Sequence, residues 1–141
     1  MKKKSIRERL NIGKVKTDLK CEVGDIVLIN KFKYPDGKDG SLHSFVVMSI
    51  RKDELELVTL DYLCFIISSN MEKSSDTNSD YPYNEPILPT ELSGLKTKSH
   101  VKCDYLFSNI KEDDIIMRVG MITPTQYRRF MELFKEAQKN A

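Results

Sequence analysis

Residues 23–50 read VGDIVLINKFKYPDGKDGSLHSFVVMSI: an apolar strand, a polar loop broken by Pro35, Gly37 and Gly40, and a second apolar strand. Val23, Ile26, Val27, Leu28 and Ile29 on one side, and Phe45, Val46, Val47, Met48 and Ile50 on the other, are mostly β-branched or aromatic. Such residues suit a pleated, half-buried surface, so the stretch predicts a β-hairpin. Tyr34-Pro35-Asp36-Gly37 supplies a turn, because Pro35 pre-sets φ and Gly37 tolerates φ > 0. About fourteen residues separate the two apolar runs, and loops near that length in a compact domain are usually functional or disordered. The expectation is a long, charged flap facing a substrate.

The 141 residues fit a single domain whose core needs neither metal nor disulfide. Cys21, Cys64 and Cys103 form no CxxC pair, and an odd, scattered set argues against a disulfide framework or a zinc site. They read as reduced, partly buried thiols. No apolar run approaches the roughly 20 residues of a membrane span, and MKKK is not followed by the apolar region of a signal peptide. The expectation is a cytoplasmic protein with no membrane partner. The net charge of +2 is unevenly distributed. Residues 1–20 carry eight Lys/Arg against Glu8 and Asp18, for +6, and the rest of the chain carries −4. Residues 1–19 read as a basic arm, or as a short helix capped by Ser5 and Glu8 and ended by Gly13. Such an arm serves solubility or contacts a phosphate backbone. Residues 20–141 form the domain.

Beyond the hairpin, Arg51-Lys52-Asp53-Glu54 predicts a charged turn. Leu55, Leu57 and Thr59 together with 62–67 predict one bent strand or two short ones. The continuous apolar run Leu63-Cys64-Phe65-Ile66-Ile67 fits a strand buried on both faces. From Ser68 to Pro89 the composition turns to Ser, Asp, Asn and Pro, which predicts a surface loop, mobile over 71–85 because these residues bury little. Val101, Cys103 and Tyr105 alternate with Lys102 and Asp104, marking a strand over 99–106, and 115–122 is a further short strand. The last segment is a helix: Thr123 caps it, Pro124 takes its first position, Gln126 completes a capping box, and Ile122 is placed to staple against Tyr127. Tyr127, Phe130, Met131 and Phe134 form its apolar stripe. Several short strands and one terminal helix, without βαβ alternation, indicate a mainly β protein built as a small antiparallel barrel.

The order GDIVLIN, Gly-containing loop, FVVMSI, buried strand, GLKTKSHVKCDYLFSNI and VGMITPTQYRRFMELFKEA resembles the MazF/PemK family of toxin endoribonucleases over roughly residues 20–138. Gly94 to Ala137 carries the more specific part, since GDIV alone is short. The resemblance implies an SH3-like barrel with a C-terminal helix, a homodimer, an antitoxin partner and DNA binding through the antitoxin complex. It also implies cleavage of single-stranded RNA without a metal or other cofactor. The 2′-hydroxyl attacks the adjacent phosphate, leaving a cyclic phosphate and a 5′-hydroxyl.

Where the family usually has Arg-Pro before the second strand, this chain has His43-Ser44. A family threonine at the end of the following long strand falls at Ser68, or at Ser69 with a one-residue slip. A histidine does acid-base work near neutral pH and a hydroxyl donates to a phosphate oxygen, so His43 with Ser68 or Ser69 is competent for the same reaction. Lys38, Ser41, Ser44 and Tyr81 are the candidate RNA contacts, Lys38 through phosphate and Tyr81 through base stacking. Plainer readings stand beside these: His43 as a strand-end histidine, Ser68 and Ser69 as the start of a loop, Lys38 as a solvated charge, Tyr81 as a loop anchor, His100 as structural. Two other functions share the pattern: a barrel that has lost its chemistry and binds RNA or protein, and a CcdB-like topoisomerase poison.

Overall fold

The apolar runs become strands, and the terminal capping box becomes a helix, over residues 21–141, which the computed structural model describes. The expected helix near Ser5 and the basic arm lie outside these residues. The strands are β1 (Asp25–Lys33), β2 (Asp39–Lys52), β3 (Thr59–Ser68), β4 (Asn84–Ile87), β5 (Ser99–Lys102), β6 (Phe107–Ile110) and β7 (Ile115–Met121). A helix, α1 (Pro124–Lys139), follows, and single 3-10 turns occupy Met71–Lys73 and Glu112–Asp114. The strand order is β4-β5-β3-β2-β1-β7, with β6 also paired to β3, and every pairing is antiparallel. β3 holds β6 along its first half and β5 at its last two residues, so the sheet coils into a barrel-like form while β7 and β4 stay unpaired to each other.

Side chains that alternate along a strand feed two separate cores. Val27, Ile29, Phe45, Val47, Cys64, Ile66 and Phe107 pack on one face. Ile26, Val46, Phe65, Ile67, Ile87 and Val101 pack on the other, beneath Phe130 and Leu133 of α1. β3 therefore serves both cores, as its unbroken apolar run predicts. In α1, Thr123 Oγ1 accepts from Gln126 N at 3.1 Å and Gln126 Oε1 accepts from Thr123 N at 2.8 Å. The buried centre of the helix is Phe130, Leu133 and Ala137, with Tyr127, Met131 and Phe134 packed at its margins. Tyr127 Oη donates to Met48 O at 3.0 Å and ties the helix to β2.

Three expectations are corrected. The first hairpin has no long flap: β1 runs on to Lys33 and β2 starts at Asp39, leaving a tight turn in which Gly37 N donates to Tyr34 O at 2.9 Å with φ at +86°. The polar residues continue as a two-stranded ribbon because their backbones pair with each other. Leu55 and Leu57 belong to no strand; they stand 74% and 78% exposed in the β2–β3 turn. The stretch after β3 is stitched rather than loose. Ser74 and Asn84 are buried, Thr77 Oγ1 donates to Met71 O, Asn84 Nδ2 donates to Lys73 O at 2.8 Å, and the segment contains β4. Short polar side chains here satisfy the backbone of their own loop, which composition does not reveal.

Asp61 is a polar fastener at 1% exposure. It accepts from Arg51 Nε at 2.6 Å and from Asn109 N at 2.9 Å, joining β2, β3 and β6. The Arg51 hydrogen bond, chiefly, holds its carboxyl below the usual range. A carboxyl depressed in the folded state contributes stability that is complete above its unfolded value, about 3.9, and is lost as pH falls below it. Asp61→Asn is expected to cost about 2–3 kcal/mol at pH 7, with half-exposed Arg51 moderating the penalty of a broken buried pair. It is also expected to flatten the acid limb of the stability curve; chemical denaturation from pH 7 to pH 2.5 measures both.

Candidate nucleic-acid interface

The hairpin ribbon leans over β6 and encloses a groove of about 780 Å³. Phe32, Tyr34, Tyr105 and Phe107 line it together with Lys31, Lys33 and Asn109. The aromatic rings meet edge to face: Phe32 lies 4.9 Å from Phe45 and 5.7 Å from Phe107, and Tyr105 lies 4.8 Å from Phe107. Gly40 makes this possible, because a Cβ there would run into the Phe32 ring on the paired strand. Lys33 bonds to Asp39 across the ribbon, and that bond, with the charges of Lys33 and Lys31, keeps the Asp39 carboxyl ionised below the usual range. Aromatic faces interleaved with lysines are the equipment of a single-strand binding surface.

His43 sits inside β2, paired with Ile29, and not ahead of the strand as the sequence implies. Its ring meets Phe32, a groove-lining residue, edge-on at 5.7 Å, while His43 itself is not part of the lining. His43 Nδ1 lies 2.6 Å from Ser41 O. A carbonyl can only accept, so Nδ1 carries the proton, and in the neutral ring the lone pair is on Nε2. Ser44 pairs with Ile67 and Phe45 with Ile66, so His43 and Ser68 flank the last pair of the β2–β3 ladder. Ser68 Oγ accepts from Asn70 N at 3.2 Å, which leaves its own hydroxyl proton for another acceptor.

The other candidates scatter. Ser69 lies beyond the end of β3 and is exposed. Ser44, next to His43 in an extended strand, projects to the other face. Ser41 lines the groove and orients His43 through its carbonyl. Lys38 is at the turn, 3.9 Å from Asp36. Tyr81 is exposed in the segment after β3, outside the groove lining. Tyr34 and Tyr105 are the aromatic candidates that sequence reasoning missed; the alternation Lys31-Phe32-Lys33-Tyr34 was the available signal for the first.

His100 is paired with Ser68, 3% exposed, with no partner at Nδ1. Burial lowers its pKa, against a hydrogen bond with the Asn70 backbone. It is a buried ring whose charged form burial disfavours, in keeping with a structural role. All three cysteines are buried thiols, and burial raises Cys21 to about 11 and Cys64 and Cys103 further. Among the described residues no helix is long and apolar enough to cross a membrane.

No family model matches this sequence, and no curated protein matches it. Among solved structures, the Mycobacterium tuberculosis toxin MazF-mt6 is similar, with a TM-score of 0.57 over 82% of this chain and 96% of that one. The fold is MazF-like. At 15% identity the likeness is one of architecture alone. The MazF-like sheet brings β2, β3 and β6 together, and the groove lies between the β1–β2 hairpin and β6.

Proposed function

We propose that this chain is the toxin of a type II toxin–antitoxin module, an endoribonuclease that cuts single-stranded RNA without a metal. The observation that carries this reading is His43, its Nδ1 held by the Ser41 carbonyl and its ring against Phe32 of an aromatic and lysine-lined groove, on a MazF-like fold. In the reaction, His43 Nε2 takes the proton of the 2′-hydroxyl as its oxygen bonds to phosphorus. The bond from phosphorus to the 5′-oxygen breaks, and that oxygen leaves with a proton from water. Ser68 donates its hydroxyl proton to a non-bridging phosphate oxygen. Incubation with RNA in EDTA tests the activity: strand cleavage supports it, and intact RNA overturns it.

Bases would stack on Tyr34 and Tyr105 while Lys31 meets phosphate. A stacked base contributes about 1–3 kcal/mol, so Tyr34→Ala is expected to weaken RNA binding roughly tenfold or more, and Lys31→Ala to lower the salt dependence of binding. Fluorescence anisotropy with a labelled oligonucleotide measures both. The working species is a homodimer that an antitoxin peptide inhibits. Leu42 on β2, with Ile116 and Met117 on β7, leaves apolar surface for such contacts. Light scattering at micromolar concentration should give twice the chain mass; the mass of one chain contradicts the dimer.

One observation favours a second reading, a barrel that binds RNA without cutting it. His43 is already satisfied by a carbonyl and a neighbouring ring, as a structural histidine would be. Tight RNA binding with no cleavage by the wild type or by His43→Arg would establish it.

A further inference from the structure

β6 carries one residue too many for its partner strand. Between the pairs Tyr62–Ile110 and Cys64–Phe107 it sets Ser108 and Asn109 against Leu63 alone, a β-bulge, and Asn109 absorbs the kink with φ at +61°. Asparagine tolerates this left-handed backbone, which a branched or bulky side chain does not. The bulge is anchored through its main chain: Asn109 N donates to Oδ2 of the buried Asp61 at 2.9 Å, and Asp61 is itself held by Arg51. The side-chain amide is left to point elsewhere. Asn109 is exposed and lines the aromatic groove with Tyr105 and Phe107, and among the described residues its carboxamide has no hydrogen-bond partner. A donor and an acceptor on a fixed backbone beside stacking rings are what reading the edge of a base requires.

We propose that Asn109 reads the base stacked in this groove and selects adenine. The inference rests on the proposal above that the groove takes single-stranded RNA. A carboxamide offers Oδ1 to accept and Nδ2 to donate side by side, so it pairs with an amine that neighbours a ring nitrogen. Adenine presents that pair on two edges, N6 with N7 and N6 with N1, and so suits Asn109 in either orientation of the ring. Cytosine and guanine each present it on one edge, and uracil on none. Asp114, also in the lining, can only accept, which opposes the carbonyl edges of uracil and guanine. A purine also covers more of an aromatic floor than a pyrimidine does, which sets cytosine behind adenine.

Fluorescence anisotropy of the full chain with four labelled 2′-O-methyl uridine oligomers, differing only in one central A, C, G or U, tests the selection. These oligomers lack the attacking hydroxyl, so binding is read apart from cleavage. The wild type should bind the central-A oligomer roughly tenfold or more tighter than the central-U one, with C and G between. Asn109→Gly keeps the left-handed backbone at no steric cost, so the Asp61 hydrogen bond and the urea midpoint should stay as they are while the four affinities converge. Asn109→Asp, equal in size but unable to donate to a ring nitrogen, should also lose the preference for adenine. Equal affinities in the wild type, a preference for another base, or a preference for adenine that survives in Asn109→Gly would overturn the proposal. Cleavage of ordinary RNA by a wild type that binds the four oligomers equally would sink the selection and leave the endoribonuclease standing; selection of adenine with no cleavage would do the reverse. Binding to none of the four would overturn the selection together with the RNA-binding reading of the groove.

Discussion

His43→Ala is expected to lower RNA cleavage by about two to four orders of magnitude, the usual worth of a positioned general acid-base group, with the fold unchanged. Fold retention follows from where the residue sits. Its backbone is held by pairing with Ile29, and the residue is only partly buried. Truncation therefore removes the Nε2 lone pair, the hydrogen bond to Ser41 O and the Phe32 contact but no buried network. His43→Arg is the companion variant. It restores the residue more common at this point in the family that the sequence resembles, and is expected to keep or raise activity. Equal cleavage by wild type and His43→Ala, in single-turnover assays with saturating enzyme, would show that the chemistry lies elsewhere.

Phe130→Ala is expected to destabilise the protein by about 3–5 kcal/mol, a large share of the 5–15 kcal/mol typical of a domain. Phe130 is fully buried in the core between α1 and the sheet, among residues that include Ile67, Ile87 and Val101. Collapse into the space is opposed by the hydrogen-bonded pairing of β2, β3 and β5 and by Tyr127, which ties the helix to β2. Urea denaturation should show the loss; Glu132→Ala, on the exposed side of the same helix, should change stability by less than about 0.5 kcal/mol. A loss of under about 1 kcal/mol for Phe130→Ala would mean that α1 is not integral to the fold.

Local chemistry was legible in the sequence where one short stretch decides the outcome. Thr123, Pro124 and Gln126 specify a helix start by themselves, and Leu63 to Ile67 specify a doubly buried strand. The hairpin was legible in kind but not in extent. Residues 31–33 and 39–44 are polar, and their strand conformation comes from pairing across the ribbon, which apolar periodicity does not report. The segment after β3 was misjudged for a related reason: Ser74, Thr77 and Asn84 are loop residues by composition and loop fasteners by geometry. The candidate site was half visible. His43 and Ser68 could be named because a strand end and a hairpin arm are local features. Placing Ser68 in β3 and Ser69 beyond its end needed the bounds of the strand, and joining Tyr34 to Tyr105 and Phe107 needed the return of β6 to β3, a long-range contact that spacing does not encode.

The proposed reaction leaves chemical marks that distinguish it from other routes to broken RNA. End-group analysis of RNA incubated with the purified protein in EDTA, repeated on RNA from cells expressing it, reads those marks directly. Attack by the 2′-hydroxyl predicts a cyclic phosphate on each upstream fragment and a 5′-hydroxyl on each downstream one, both lost with His43→Ala. Fragments bearing 5′-phosphates, or RNA left whole by the wild-type protein, would contradict the account.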